Sequence, residues 1–204
     1  MKKLTILVLM VSACIMLSAL ELNVLAGLGI SSITGDETDD YSSKIGWSVG
    51  ASVDLPMGNN LIIEPGVRFF GGGATAEFTD NDEGYKVKYE NTLTLNYFDI
   101  FAKAKYKIGD IQPYIGLGLP ILMSADSEVK ISSPGGSFSG SEDVGDSFTS
   151  LNFNIMLGAD YILMDKFTIG VEYSRTLNNI LDVEGNFSQN LNNIMLNVGY
   201  KFNF

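Results

Sequence analysis

Histidine is absent from this 204-residue chain, and cysteine occurs once, as Cys14 in an apolar N-terminal run. The rest of the chain therefore has no disulfide and no Cys or His metal site. Without an imidazole the usual base that activates a serine is missing, and Ser or Asp pairs alone do not make a nucleophile. Positive charge is also scarce: 13 Lys and Arg against 24 Asp and Glu leave a net charge of −11. Nucleic acid is excluded as a partner, because phosphate binding needs clustered cations. Proline is rare, and beyond Leu20 no segment sustains a helical period or a long apolar run. What is present is the composition of a folded chain, 46% apolar and 18% charged, of a length that suits one domain.

The N-terminus has the order of a secretory signal: basic Met1-Lys2-Lys3, apolar Leu4 to Leu17, then small Ser18 and Ala19. This predicts cleavage after Ala19, leaving Leu20 as the first mature residue and residues 20–204 as the folded domain. Two other readings stay open. Val11-Ser12-Ala13-Cys14 resembles a lipobox, and the run to Leu20 is barely long enough for an uncleaved anchor.

In the mature chain the recurring pattern is alternation with a period of two, the mark of strands with one apolar face. Ile45, Trp47, Val49, Ala51 and Val53 alternate with Lys44, Gly46, Ser48, Gly50, Ser52 and Asp54. The last strand alternates Ile194, Leu196, Val198, Tyr200, Phe202 and Phe204 with Asn193, Met195, Asn197, Gly199, Lys201 and Asn203. Similar segments at Leu22–Ser31, Leu61–Gly71, Leu93–Lys107, Ile111–Met123, Leu151–Tyr161 and Phe167–Leu177 bring the strands to eight. Short connections at Pro56–Asn60, Gly109-Asp110 and Met164-Asp165 alternate with long polar ones at Ser32–Ser43, Gly72–Asn91, Ser124–Ser150 and Asn178–Asn190. That order predicts an all-β, eight-stranded antiparallel up-and-down barrel with short turns at one end and long loops at the other.

The second face of these strands decides between water and lipid outside. It is largely Gly, Ser and Asn, as with Gly46, Ser48, Gly116, Gly118, Asn152 and Asn154. Small residues fit the narrow interior of an eight-stranded barrel, leaving the bulky faces to meet lipid. Aromatic residues near the strand ends, among them Trp47, Tyr106, Tyr161, Phe167 and Tyr200, fit membrane interfaces. The Leu93–Lys107 segment changes phase: Leu93, Leu95 and Tyr97 are out of step with Ile100, Ala102, Ala104 and Tyr106. A bulge near Asn96–Phe98, or an upper half standing above the bilayer, would each account for this.

Charges on the small-residue faces point to a filled lumen. Glu64 and Arg68 share one face, as do Asp99 and Lys103. Since antiparallel neighbours keep a constant sum of residue numbers, one register sets Arg68 opposite Asp99 and Glu64 opposite Lys103, both of opposite sign. Glu172 and Lys201 add to the set, and pairing would obstruct the bore. The alternative is loose pairing at wet rims.

The C-terminus resembles the assembly signal of bacterial outer-membrane barrels, with Asn197, Gly199, Phe202 and Phe204 in its positions. The runs Leu95-Asn96-Tyr97-Phe98-Asp99-Ile100, Ala104-Lys105-Tyr106-Lys107-Ile108-Gly109 and Pro113-Tyr114-Ile115-Gly116-Leu117-Gly118 resemble the PorT-like outer membrane protein beta-barrel domain family. That family often has proline where this chain has Phe101. The nearest architectural analogues are the small OmpX-like and OmpA-like barrels. The resemblance implies fold, an outer-membrane location, lipid and lipopolysaccharide as surroundings and the barrel-assembly machinery as a partner, but not an activity. Barrel enzymes of this kind rely on a catalytic His, so no enzyme and no cofactor are expected. Carboxylates cluster in the long connections (Asp36, Glu37, Asp39, Asp40; Asp80, Asp82, Glu83; Glu142, Asp143, Asp146), without the spacing of a defined calcium loop. Two functions from different classes remain: a surface-interaction or envelope-structural protein whose loops meet host or envelope partners, and a narrow channel for ions or small solutes.

Overall fold

A computed structural model of the chain describes residues 21–82, 85–133, 135–182 and 187–203. The signal segment with Ala19 and Leu20, the lipobox at Cys14 and the terminal Phe204 lie outside the described residues. The strands are β1 (Glu21–Gly35), β2 (Tyr41–Pro56), β3 (Leu61–Asp82), β4 (Tyr85–Tyr106), β5 (Ile111–Ser133), β6 (Gly136–Asp143), β7 (Asn154–Leu163), β8 (Phe167–Thr176) and β9 (Gln189–Asn203), with one 3-10 turn at Gly145–Ser147. All pairings are antiparallel, and β1 pairs both β2 and β9 while β4 pairs β5. Eight strands thus close into an up-and-down barrel, the architecture read from the alternation. The ninth, β6, is bonded to the outer part of β5.

Short turns close one end because their residues accept the required backbone. Met164 and Asp165 both have positive φ, 54° and 58°, the geometry that matches the twist of a two-residue hairpin. Gly109, at φ 62°, serves the turn between β4 and β5.

The alternation sorts cleanly into two environments. Outward side chains are apolar and exposed: Leu28 65%, Ile45 78%, Leu117 63%. On β5 this face runs from Ile111 to Met123. Twelve steps of about 3.3 Å, tilted by roughly 40°, rise about 30 Å, the thickness of a bilayer's hydrocarbon. A continuous apolar belt around a closed barrel exceeds by far what a water-soluble surface exposes.

Three differences from the sequence reading are instructive. The phase of β4 never breaks: its register with β3 is unbroken from Leu61↔Tyr106 to Asp82↔Tyr85. Leu95 and Tyr97 point inward on the same face as Asp99 and Lys103, and all four are buried. The bulge lies on the neighbour, β5, where Asn96 faces Ser124 and Tyr97 faces Leu122, leaving Met123 as the extra residue. The stretches read as loops at Gly72–Asn91 and Ser124–Ser150 are largely strand, continuing β3, β4 and β5 beyond the barrel and adding β6. Finally, the continuous β7 ladder begins at Asn154, not Leu151; Leu151 is held to β5 by an isolated bridge to Ile121, and residues 147–149 bond across the mouth, with Thr149 N–H donating to Ile180 O at 2.8 Å.

Candidate functional site: the barrel lumen

Inward-facing residues divide the lumen into two layers. The lower layer is ionic. Register places Arg68 beside Asp99 and Glu64 beside Lys103, and the side chains then reach across the bore. Arg68 Nε donates to Asp99 Oδ2 at 3.0 Å, and its Nη1 donates to Glu172 Oε1 on the far wall. Glu172 Oε2 also receives Lys103 Nζ at 2.8 Å and the Tyr114 hydroxyl at 3.0 Å. Glu64 is bonded to Lys105 rather than to Lys103, and Lys105 Nζ lies 2.6 Å from Asp160 Oδ2. Lys201 is drawn toward the short-turn end, 2.5 Å from Asp54 Oδ2 and 3.4 Å from Glu21 Oε2. Asp54 receives Asn23 Nδ2 at 2.9 Å as well. All of these groups are buried except Glu21. Buried charge survives only when paired and hydrogen-bonded, which here is achieved by sharing: one carboxylate, Glu172, accepts from Arg68, Lys103 and Tyr114.

Aromatic rings fill the space the ions leave. The Arg68 guanidinium lies 5.3 Å and 5.5 Å from the ring centroids of Phe70 and Phe101, and Lys103 Nζ lies 4.5 Å from that of Tyr114, distances at which a cation is attracted to a ring face. Glycines on facing strands make this packing feasible. A Cβ at Gly158 would stand 2.5 Å from the Tyr114 ring, and one at Gly118 would stand 2.6 Å from Asp99 Oδ1.

The upper layer is apolar. Ile33, Phe70, Ala74, Leu95, Tyr97, Ala125, Phe148, Ile180 and Leu191 form one buried cluster, with Phe70 and Tyr97 stacked at 5.1 Å. Phe148 and Ile180 belong to the segments that fold over the mouth, joined by the Phe148↔Leu181 bridge and by Asp182 N–H donating to Ser147 O at 2.9 Å. Beside Arg68 and Lys103 in the ionic layer lies a cavity of about 20 Å³, bordered also by Leu25, Ser48, Phe101 and Asn197, room for about one water. Below the ionic layer a polar vestibule of about 330 Å³ opens at the short-turn end and stops at Asp54, Gln112 and Lys201.

The sequence reading named Glu64, Arg68, Asp99, Lys103, Glu172 and Lys201, and all six face the lumen. It missed Asp54, Lys105, Tyr114 and Asp160. Their parity was the available signal, since each alternates with outward apolar neighbours. Of the proposed assembly residues, Asn197 and Gly199 face inward, and Phe202 faces outward against Tyr200 at 4.8 Å between rings. The acidic connections bring no three carboxylates together as a metal site among the described residues.

The family model described as outer membrane protein beta-barrel domain matches residues 4–202. No curated protein matches the sequence. Among solved structures, the chain is similar to Ail, the attachment invasion locus protein of Yersinia pestis, crystallised with the heparin analogue sucrose octasulfate, at 18% identity and a TM-score of 0.47, covering 90% of this chain and 99% of that one. It is also similar to Neisserial surface protein A, at 13% identity and a TM-score of 0.45, covering 89% and 97%. A third is a major outer membrane protein from Thermus thermophilus, at 15% identity and a TM-score of 0.45, covering 90% and 100%. The family match spans nearly the whole chain and agrees with the lipid-facing belt and the closed ring of strands. The chain therefore belongs to the outer membrane protein beta-barrel domain family, and its place is the bacterial outer membrane.

Proposed function

We propose that the protein is a non-enzymatic surface-interaction or envelope-structural barrel whose work is done outside the membrane, by the strands and loops opposite the short turns. The observation that carries this is the double closure of the lumen. The Arg68–Asp99–Glu172 layer and the Leu95–Tyr97–Phe148 cluster lie in series along the bore. A solute would have to break buried ion pairs and then an apolar cluster to cross. Meanwhile β3, β4 and β5, at 22, 22 and 23 residues, are about twice the length a bilayer needs. That investment in structure outside the lipid favours contact with host or envelope proteins, or with lipopolysaccharide, over transport.

The chemistry of the lumen supports the absence of an enzyme. Its carboxylates are held by cations, and no imidazole is available as a base. Removal of residues 1–19 with Leu20 as the new terminus, and assembly through Asn197, Gly199, Phe202 and Phe204, are part of the same proposal, as is kinship with the PorT-like branch of the family. The channel alternative draws on the vestibule, which ends blindly at Asp54, Gln112 and Lys201. Liposome swelling separates the two. Purified protein in liposomes should admit glycine and arabinose no faster than protein-free liposomes do, and a protein-dependent rise in the swelling rate would favour the channel.

A further inference from the structure

We infer that the free edge of β6 is a docking strand for an extended, basic polypeptide segment that adds to the sheet. This rests on the surface-interaction reading and names its partner chemistry. The strands β3 to β6 form a four-stranded sheet that continues past the barrel. On the face that continues the lumenal side, Phe78, Tyr89, Ile131 and Phe138 stand in one row across the four strands, each opposite the next. Phe78 and Phe138 are 66% and 69% exposed. This row extends the apolar lining of the barrel mouth into solvent.

At the end of the row β6 is bonded to β5 alone among the described residues, and all eight of its residues are exposed. Proteins guard such edges with Lys, Pro or a bulge, because the unpaired main-chain groups are a template for another strand. Here the sequence is Gly-Ser-Phe-Ser-Gly-Ser-Glu-Asp, and the register with β5 has no shift. Beside Gly140 lies a hollow of about 250 Å³, lined by Ser127 and Val129 of β5 and by Phe138 and Glu142 of β6. A hollow over a glycine next to an exposed ring is where a side chain of an added strand packs.

Charge selects the occupant. The membrane-proximal end of the edge is acidic, with Glu142 and Asp143 on β6, Asp126 opposite Asp143, and Asp146 just beyond. The nearest cation on β5, Lys130, lies 3.2 Å from Glu128. The added strand therefore carries Lys or Arg where it passes Glu142 and Asp143 and an apolar side chain where it passes Gly140. A second copy of the chain fits poorly. Two barrels in one membrane point the same way, so their β6 edges would run parallel and set Glu142 and Asp143 beside their own copies, like charge against like.

The test uses the full folded barrel in nanodiscs and labelled ten-residue peptides read by fluorescence anisotropy. A peptide with valine where it passes Phe138 and Gly140 and lysine where it passes Glu142 and Asp143 should bind at least tenfold more tightly than the same peptide with glutamate in place of lysine. Its backbone N-methylated form, with the same charge but no main-chain donors, should lose at least tenfold. Gly140→Leu should weaken binding to a similar extent while leaving the barrel folded, because a Cβ there meets only the Phe138 ring at 3.7 Å. The double change Glu142→Lys and Asp143→Lys should reverse the preference between the two peptides. Equal binding of the methylated peptide, or indifference to Gly140→Leu, overturns the docking edge. So does failure of every peptide to bind, an outcome that leaves the closed-lumen reading to be judged separately by liposome swelling and channel recording.

Discussion

Arg68→Ala should destabilise the barrel by about 3–5 kcal/mol, the range found when one partner of a buried ion pair is removed, measured by denaturant unfolding from lipid vesicles. The size of the effect follows from what is left behind. Glu172 keeps Lys103 and Tyr114, but Asp99 loses Arg68, its ionic partner, while its side chain stays fully buried. Adding Asp99→Ala removes the stranded charge, so the double variant should cost less than the sum of the two single changes by about 1–3 kcal/mol. Simple additivity would mean that Arg68 and Asp99 do not share a bond in the folded barrel.

Leu117→Arg should cost about 2–4 kcal/mol in the same assay, the depth-dependent penalty for a cation near the bilayer midplane. Leu117 is 63% exposed and lies midway along the outward face of β5. On a protein surrounded by water such a change at an exposed leucine would fall within about 0.5 kcal/mol of neutral. The sign and size of this one number therefore distinguish a lipid-facing belt from a surface that meets water. Phe138→Arg, at a residue of similar exposure on β6 beyond the bilayer, is the matching control and should leave the unfolding curve in place.

The contrast between these two sites explains what the sequence could convey. Inside the bilayer both faces of a strand are constrained, one by lipid and one by a narrow lumen, so the alternation around Leu117 is strict. Beyond the bilayer the outward face meets water, and Thr75, Glu77 and Thr79 stand on the face of β3 that Val67 and Phe69 occupy within the lipid. The continuing strand there looked like loop. The neighbour register was also legible, because a hairpin fixes a constant sum: Arg68 and Asp99 add to the same total as Glu64 and Lys103. Contacts across the bore were not. Arg68 to Glu172, and Lys105 to Asp160, depend on strand tilt and barrel closure, which no local pattern encodes. The apparent phase change in β4 had the same origin. Leu93, Leu95 and Tyr97 stay on the lumenal face by unbroken register, and that face is apolar at their height because residues 147–149 and 180–182 roof the mouth above Arg68. A lumenal face can be charged at one height and apolar at another without any change in strand phase.

The central claim is that the lumen is closed by its own side chains, and single-channel recording in a planar bilayer tests it most directly. The purified protein, shown by its heat-modifiable gel mobility to be folded, should give no steady conductance above the bare bilayer in 1 M salt. Reproducible ohmic steps from the folded protein would contradict the account, because ions cannot pass the Arg68–Glu172 layer and the Leu95–Tyr97–Phe148 cluster while both remain in place.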